Sequence, residues 1–350
     1  MNAYPPAAPA AASVPHSPAS NGLEFATLTP EQLLDALESV GLQPDGRLLA
    51  LNSFENRVYQ VGIEDQQPLI AKFYRPGRWS DAAILEEHAF TAELVEREIP
   101  VIAPLQLNGA TLHHYADMRF SVFTRQPGRA PELDDPDTLR WMGRFIGRIH
   151  AVGALAEFKE RPAISLQTFG IDSRDYLLQN NFLPPDLLPA WQSVAEQALE
   201  GVAYCYERAG QVSEIRLHGD CHMGNVLWHM GTNPGPYFVD FDDSRMGPAV
   251  QDLWMLLGGD PEAASVQLAH VIDGYEQFQE FDDRELHLVE ALRTLRLIHY
   301  SAWLARRWQD PAFPVAFPWF NSQRYWQERI LELREQVALM QEAPLRPARL

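Results

Sequence analysis

The sequence predicts an α+β protein with two lobes, a small β-rich N-lobe followed by a large, mainly helical C-lobe. Up to about residue 126, short segments rich in β-branched and aromatic residues surround one helical segment. Beyond about residue 135, apolar residues recur at helical spacing over several long segments. Gln126-Pro127-Gly128 breaks the chain between the two patterns. We therefore predict two structural units.

Three parts of the chain differ in composition and pattern. Residues 1–22 are rich in Ala, Pro and Ser and have no apolar period, which predicts a disordered tail. Residues 23–126 are predicted to form the N-lobe, and residues 127–345 the C-lobe.

Local patterns predict each element in order. Thr29 can cap a first helix, and Gln32 completes a capping box. Two strand-like segments joined by a turn-prone stretch predict a hairpin at 57–63 and 69–74. A helix over 81–98 and a strand over 119–124 complete the N-lobe. The C-lobe segments predicted as helices are 138–152, 187–208, 284–308 and 322–341, and two short strands are predicted at 214–218 and 237–241.

Composition excludes several classes of protein. The chain has 28 Lys and Arg against 47 Asp and Glu, a net charge of −19, which argues against nonspecific binding to nucleic acid or anionic lipid. It has no apolar run of the ~18 residues that a membrane span needs, and its N-terminus has no secretory signal pattern. Two cysteines cannot build a disulfide framework. We expect a cytoplasmic monomer that binds neither nucleic acid nor membrane.

The residues that indicate chemistry lie between His218 and Asp243. Asp220 is followed five residues later by Asn225, and Asp240 follows an apolar segment. This is the spacing of the kinase catalytic loop H-R-D-x-x-x-x-N and of the metal-binding Asp that follows it. We predict phosphoryl transfer from ATP, with Asp220 as the base for the acceptor hydroxyl and Asn225 and Asp240 as Mg²⁺ ligands. The predicted catalytic residues are thus Asp220 and Asp240, and the two-lobe layout is protein-kinase-like.

Neighbouring residues leave three alternatives open. Asp242 alternates with Asp240 and could reach a second metal ion, or Asp242 and Asp243 could be solvated or cap the next segment. His218, Cys221 and His222 could suggest zinc, but they are too crowded for the usual ligand spacing. The Cys221 thiol, flanked by imidazoles, could be acidic enough to oxidise, or it could simply pack the loop.

Lys72 lies within an apolar strand-like segment, between Ala71 and Phe73. A lysine there is either a solvated charge on an edge strand or the strand lysine that binds ATP phosphates. The second interpretation requires a glutamate partner on the next helix, either Glu86 or Glu87. We prefer Glu87, because its spacing from the apolar residues of that helix places it on the same face.

Residues 51–58, which we call the phosphate loop, occupy the position of the glycine-rich loop of kinases but lack G-x-G-x-x-G. Backbone amides can still bind phosphate, assisted by Ser53 or Asn56. The predicted nucleotide-binding residues are therefore Ser53, Asn56, Lys72 and Glu87.

These motifs resemble the aminoglycoside phosphotransferase superfamily, which also covers choline and homoserine kinases and has the protein-kinase fold. Longer segments are similar to a family of bacterial stress response kinases; they span 51–60, 72–76, 217–222, 247–256 and 302–308. The resemblance covers residues 24–343 approximately. It implies cytoplasmic Ser/Thr protein kinases that use ATP and Mg²⁺ and protect cells under stress. By position, Asp220 is the proton acceptor, Asn225 and Asp240 hold metal, and Ser53 and Lys72 belong to the ATP site.

Three functions remain open at this point. The first is a Ser/Thr protein kinase whose partner is a protein substrate, with the chain itself as one candidate. The second is a small-molecule kinase acting on an amino alcohol, a sugar or an aminoglycoside-like acceptor, because the motifs do not name the acceptor. The third is a pseudokinase, which the presence of Lys72, Asp220, Asn225 and Asp240 disfavours. A short path from Asp240 to Gly247-Pro248 leaves no evident activation-loop phosphosite.

Overall fold

The computed structural model of the protein describes residues 28–231 and 234–348. The predicted tail at residues 1–22 lies outside the described residues. Strands dominate the first part of the described chain, and helices dominate the rest. This confirms the predicted α+β class with two lobes. β5 ends at Thr124 and the next helix begins at Pro136, so the predicted division at residues 126 and 127 falls within the connection and stays a prediction.

The N-lobe begins with helix α1 (Pro30–Glu38). The Thr29 hydroxyl accepts from the Gln32 amide at 3.3 Å, and the Gln32 side chain accepts from the Thr29 amide at 3.0 Å. The predicted capping box is therefore confirmed, and it satisfies two of the amide donors that a helix start leaves unpaired.

A five-stranded antiparallel sheet with the order β1-β2-β3-β5-β4 forms the body of this lobe. Its strands are β1 (Pro44–Ala50), β2 (Arg57–Ile63), β3 (Leu69–Phe73), β4 (His113–Tyr115) and β5 (Met118–Thr124). The predicted hairpin is confirmed as β2 and β3, whereas β1 and β4 were not predicted. Helix α2 (Asp81–Glu96) follows β3.

The sheet has one apolar face. Leu33 and Leu37 of α1 belong to the same buried cluster as Ala71 and Phe73 of β3, so α1 covers this face. Because side chains alternate along a strand, Lys72 points to the opposite face. β3 is central, pairing with β2 on one side and β5 on the other, so Lys72 is not on an edge strand.

The C-lobe is built mainly from helices. They are α3 (Pro136–Gly153), α4 (Asp172–Gln179), α5 (Leu188–Ala209), α6 (Val250–Trp254), α7 (Pro261–Tyr275), α8 (Val289–Arg306), α9 (Ala312–Ala316) and α10 (Gln323–Leu339). Helices α3 and α7 approach so closely that a Cβ at Gly143 would lie 1.9 Å from the Val271 carbonyl oxygen. The predicted helix over 284–308 begins with a 3₁₀ segment, Asp283–Leu288, before α8.

Four short strands carry the loops of interest. β6 (Ile215–Arg216) pairs with β9 (Met246–Gly247), and β7 (Val226–His229) pairs with β8 (Gly235–Phe238). The β7–β8 pair lies between the proposed base and Asp240. Across the described ranges, 28–231 and 234–348, we find no helix with the length and apolar character needed to span a membrane.

Candidate active site

A cavity of about 580 Å³ lies between the two lobes. The phosphate loop, β2 and β3 line it from the N-lobe, and the segments around Asp220 and Asp240 line it from the C-lobe. It brings together every residue that the sequence predicts for the site: Ser53, Asn56, Lys72, Glu87, Asp220, Asn225 and Asp240.

The loop that carries Asp220 is fixed by a buried carboxylate. Asp252 is 1% exposed and accepts from the His218 amide at 2.8 Å and from the Gly219 amide at 2.9 Å. His150 Nε2 lies 3.0 Å from the same carboxylate. Sequence reasoning missed the role of Asp252, although it lies within one of the segments that carry the family resemblance. The backbone of the catalytic loop is therefore held by the C-lobe core.

Gly219 is required by this geometry. Its φ is +84°, a region that other residues rarely adopt, and an added Cβ would lie 2.2 Å from the Asp243 carbonyl oxygen. The close approach brings the loop of Asp220 against the segment that follows Asp240. The two predicted catalytic segments thus meet through a glycine.

Asp220 is buried and ion-paired. Arg296 donates from Nη2 to Asp220 Oδ1 at 2.7 Å, and His222 Nε2 lies 3.4 Å from Asp220 Oδ2. Burial raises the pKa of the Asp220 carboxyl, but Arg296 and His222 outweigh burial and hold that pKa below its ordinary value. The carboxylate is therefore ionised and can accept a hydrogen bond from a hydroxyl. The sequence motifs contained no signal for Arg296.

Asp240 has a left-handed backbone, with φ 61° and ψ 60°. It lies two residues beyond Phe238, the last residue of β8, so the strand predicted over 237–241 ends before Asp240. The neighbouring Phe241 is 2% exposed, and its packing fixes a conformation that costs a non-glycine residue ~1–3 kcal/mol. The Asp240 side chain is 52% exposed, so its carboxylate remains accessible.

Asn225 and Asp240 offer oxygen donors to the same cavity. The Asn225 amide nitrogen donates to the Asp220 carbonyl at 3.0 Å, which leaves the amide oxygen as the donor atom for a metal. One carboxylate and one amide oxygen suit Mg²⁺, because this ion binds hard oxygen ligands and takes some of them from the phosphates of a substrate. Within the described part of the chain, no group of three or more His, Cys, Asp and Glu residues could hold a metal ion. As a carboxylate and an amide oxygen facing one cavity, Asp240 and Asn225 match the ligand types that Mg²⁺ accepts.

Lys72 pairs with aspartates of the C-lobe. Its Nζ lies 2.8 Å from Asp240 Oδ1 and 3.2 Å from Asp242 Oδ1. Burial lowers the pKa of Lys72, but these two carboxylates outweigh burial and raise it, so the ammonium is charged. The β3 strand of the N-lobe is thereby tied to the segment that carries the proposed metal ligand.

The ion pair expected between Lys72 and Glu87 is not made, because Asp240 and Asp242 occupy the ammonium. Among the described residues, these two are the acidic partners within 4.0 Å of Lys72 Nζ. Glu87 lines the same cavity, and burial raises its pKa to about 7 although Lys72 lowers it. Glu86 instead accepts from the Lys159 amide at 2.7 Å. Glu87 and not Glu86 therefore lines the cavity, and its pairing with Lys72 stays a prediction.

Asp242 and Asp243 are buried, at 2% and 4% exposure, so the solvated alternative is wrong. Arg78 pairs with both, through Nη1 to Asp242 Oδ2 and through Nη2 to Asp243 Oδ1 at 2.7 Å. Asn56 Nδ2 also donates to Asp242 Oδ2 at 3.0 Å, and Asn56 Oδ1 accepts from the Arg75 amide at 3.1 Å. Both ends of the Asn56 amide are therefore used within the protein.

The residues next to Asp220 do not form a metal cluster. His218 Nε2 lies 2.9 Å from the Val239 carbonyl, and its Nδ1 accepts from the Asp220 amide at 3.3 Å. Cys221 is 1% exposed, and burial together with Asp252 and Asp220 raises the pKa of its thiol well above the ordinary value. This favours the interpretation of Cys221 as a packing residue over that of an acidic, oxidisable thiol.

The sequence matches the phosphotransferase enzyme family over residues 47–289. The chain belongs to this family. It is 44% identical over 326 residues to "Stress response kinase A" of Escherichia coli strain K12, which covers 93% of this chain and 98% of that protein. It is 43% identical over 325 residues to "Serine/threonine protein kinase RdoA" of Salmonella typhimurium strain LT2, covering 93% and 97% of the two chains. Members of the stress response kinase family are thus its relatives, as the sequence motifs predict.

Solved kinases with low sequence identity to this chain have the same fold. The structure described as amicoumacin kinase hAmiN in complex with AMP-PNP, Ca²⁺ and Ami superimposes with a TM-score of 0.71 at 19% identity, covering 94% of this chain and 98% of that chain. The microcompartment-associated aminopropanol kinase superimposes with a TM-score of 0.66 at 15% identity, covering 88% and 96%. The predicted two-lobe, kinase-like fold is therefore confirmed.

Proposed function

We propose that the protein is an ATP- and Mg²⁺-dependent Ser/Thr protein kinase that acts in the cytoplasm during stress. The observation that carries the proposal is the meeting of Lys72, Asp220, Asn225 and Asp240 in one cavity between the lobes. These four residues supply a phosphate-binding cation, an ionised base and two metal donors. The acceptor class is supported by the name of the relative at 43% identity, a serine/threonine protein kinase, and the role in stress by the name of the relative at 44% identity.

In the proposed reaction, Lys72 would bind ATP phosphates from β3. A Mg²⁺ ion held by Asn225 and Asp240 would neutralise the phosphate charge when bound. Asp220 would accept a hydrogen bond from the acceptor hydroxyl, orient it toward the γ-phosphorus and take its proton as the O–P bond forms. The oxygen bridging to ADP would leave with the bonding electron pair.

Ser53 would contribute to the nucleotide site from the phosphate loop, which it shares with Asn56. Asn56 acts at a distance in this proposal, because its amide is committed to Asp242 and to the Arg75 backbone. Glu87 would contact Lys72 once phosphates displace Asp240 from the ammonium. These assignments concern positioning of the nucleotide and do not identify the acceptor.

A small-molecule acceptor is the second candidate. Two fold neighbours are named for small molecules, amicoumacin and aminopropanol, and the aromatic rings of Tyr300, Trp303 and Phe317 line part of the cavity. An open cavity with aromatic walls beside the proposed base suits a small ligand as well as an inserted Ser or Thr side chain.

One assay separates the two candidates. Labelled ATP is supplied with Mg²⁺ and either generic protein substrates, including the chain itself, or a panel of amino alcohols, sugars and aminoglycosides. We expect label on Ser or Thr of protein, lost in the Asp220→Ala variant. Transfer to a small molecule with none to protein would replace the first candidate by the second.

A further inference from the structure

The phosphate loop lacks the glycines that let other loops follow a nucleotide, and in this protein a buried acid fastens it to the C-lobe. Glu55 lies at the centre of the loop and is 3% exposed. Its Oε2 accepts from Trp303 Nε1 at 2.6 Å and lies 2.6 Å from Arg307 Nη2. Trp303 lies in the last turn of α8, and Arg307 is the residue that caps the C-terminus of this helix. The loop of one lobe is thus bonded to a helix of the other.

Further contacts hold the loop backbone beside Glu55. Arg75 donates from Nε to the Glu55 carbonyl at 2.9 Å and from Nη2 to the Phe54 carbonyl at 3.1 Å. The same guanidinium pairs with Asp310 at 2.8 Å. The ring of Phe54 lies 4.8 Å from that of Phe317, measured between centroids. The chain conformation at Phe54 and Glu55 is therefore specified by side chains of both lobes.

The helix that receives Glu55 also contacts the proposed base. Arg296, Tyr300, Trp303 and Arg307 are spaced by four, three and four residues, which places them on one face of α8. Arg296 pairs with Asp220, and Trp303 and Arg307 pair with Glu55. One helix face therefore contacts the phosphate loop at one end and the base at the other.

We propose that Glu55 is a positioning residue that fixes the phosphate loop against α8 and so aligns bound nucleotide phosphates with Asp220. The proposal rests on the proposed function, because it assumes that this loop covers nucleotide. Glu55 does not itself need to contact ATP, since its Oε2 is used by Trp303 and Arg307 and its Oε1 lies 3.3 Å from Arg75 Nε. The loop is already ordered before nucleotide binds. Less conformational entropy is therefore lost on binding.

Loss of the anchor has a defined consequence. Glu55→Gln removes the charge that Arg307, Arg75 and Arg78 surround, so the attraction between the loop and α8 is weakened. The affinity for nucleotide is then expected to fall while the acceptor side keeps its geometry. Arg307 does not itself line the cavity, so Arg307→Met acts on the loop through Glu55 and on the cavity wall through Trp303, over whose ring the guanidinium lies. A weaker affinity in this variant cannot come from a lost contact with ATP.

The test measures the Kd of AMP-PNP with Mg²⁺, the KM of ATP, the KM of the acceptor and the Tm for the parent and four variants. The variants are Glu55→Gln, Arg307→Met, the double variant and, as control, Glu332→Gln, which breaks an ion pair with Arg329 on α10 away from the cavity. We expect the Kd and the KM of ATP to rise about tenfold in Glu55→Gln and in the same direction in Arg307→Met, with the acceptor KM unchanged.

The double variant separates positioning from stability. Each single change removes one charge of the buried Glu55–Arg307 pair and lowers the Tm, whereas the double change removes both charges and restores part of the Tm. A Kd that stays raised in the double variant supports the anchor. A Kd that returns with the Tm, or that matches the Glu332→Gln control in every variant, overturns it. A parent protein that binds no AMP-PNP would instead overturn the proposed function itself.

Discussion

Arg296 of α8 donates from Nη2 to Oδ1 of Asp220 at 2.7 Å, although the two residues are 76 positions apart in the chain. The guanidinium is 20% exposed and the carboxylate 7%. In such a buried environment an ion pair is stronger than at the surface, and its geometry restricts the rotation of the carboxylate. Arg296 therefore determines which oxygen of Asp220 remains for the acceptor: Oδ2, which lies near His222 and Asn225.

The first prediction is that Arg296→Ala lowers kcat by about a hundredfold, because a base that can rotate out of line loses its orientation. Nucleotide affinity is expected to stay unchanged, since Arg296 does not line the large cavity. Arg296→Lys keeps the charge but not the planar fork, so its kcat should lie between those of the parent and Arg296→Ala. Steady-state kinetics measure kcat, and titration with AMP-PNP measures nucleotide affinity. An unchanged kcat in folded Arg296→Ala would refute the orienting role.

The second prediction concerns Asp220 itself. Asp220→Ala is expected to abolish transfer while nucleotide binding persists, because in the proposed reaction Asp220 would contact the acceptor hydroxyl and not the phosphates. An assay with labelled ATP measures transfer, and titration with AMP-PNP measures nucleotide affinity. A collapse of nucleotide affinity in a variant whose Tm is preserved would show that Asp220 is not the base.

The third prediction is that Asp240→Asn lowers turnover by about a thousandfold, since a carboxylate that neutralises transferring phosphate is lost. Asp273→Asn on α7 is the matched control, because it changes the same functional group in a surface ion pair with Arg140. Turnover is measured over a range of Mg²⁺ concentrations. Near-parental turnover in folded Asp240→Asn at every concentration would exclude Asp240 as a metal ligand.

Motif spacing predicted the residues that meet in the cavity but not the residues that hold them. The offsets among Asp220, Asn225 and Asp240 are local features of the chain, so the sequence displays them directly. Asp252, Arg296 and Glu55 act through contacts between distant segments, and a single sequence carries no record of such contacts. An aspartate or arginine in a helix is ordinarily a solvated charge, and nothing in the local pattern marks these three as buried or paired.

Those parts of the fold that depend on local sequence were predictable. The capping box at Thr29 and the hairpin of β2 and β3 follow from local chemistry. Strand β1 (Pro44–Ala50) was missed, because its exposed residues do not alternate in polarity. The ion pair of Lys72 with Asp240 and Asp242 instead of Glu87 depends on how the lobes close, which local patterns do not determine.

The fourth prediction uses the raised pKa of Glu87. Burial raises this pKa from the ordinary value of 4.5 to about 7, although Lys72 and Arg161 lower it. Well below pH 4.5, Glu87 is protonated in both the folded and the unfolded chain. Between about pH 4.5 and pH 7 it ionises in the unfolded chain first, so the free energy of unfolding decreases across this window. Glu87→Gln should therefore leave the Tm unchanged at low pH and raise it above pH 7.

The control for this prediction is Glu96→Gln, an exposed glutamate at the end of the same helix α2. Thermal unfolding is followed for the three proteins across the pH range from below 4.5 to above 7. The Tm difference between Glu87→Gln and the parent should grow with pH, whereas that of Glu96→Gln should not. A difference that shrinks with increasing pH would mean that Glu87 stabilises the fold as an anion, contrary to the raised pKa.

The last prediction concerns the response of the kinase to peroxide. The reactive form of cysteine is the thiolate, and burial with Asp252 and Asp220 nearby raises the pKa of the Cys221 thiol. The side chain is also 1% exposed, so oxidant cannot reach it without opening the loop. We therefore expect equal peroxide sensitivity of transfer in the parent and in Cys221→Ala, measured with and without reductant. Inhibition of the parent that reductant reverses and that Cys221→Ala lacks would establish a redox-sensitive thiol beside Asp220.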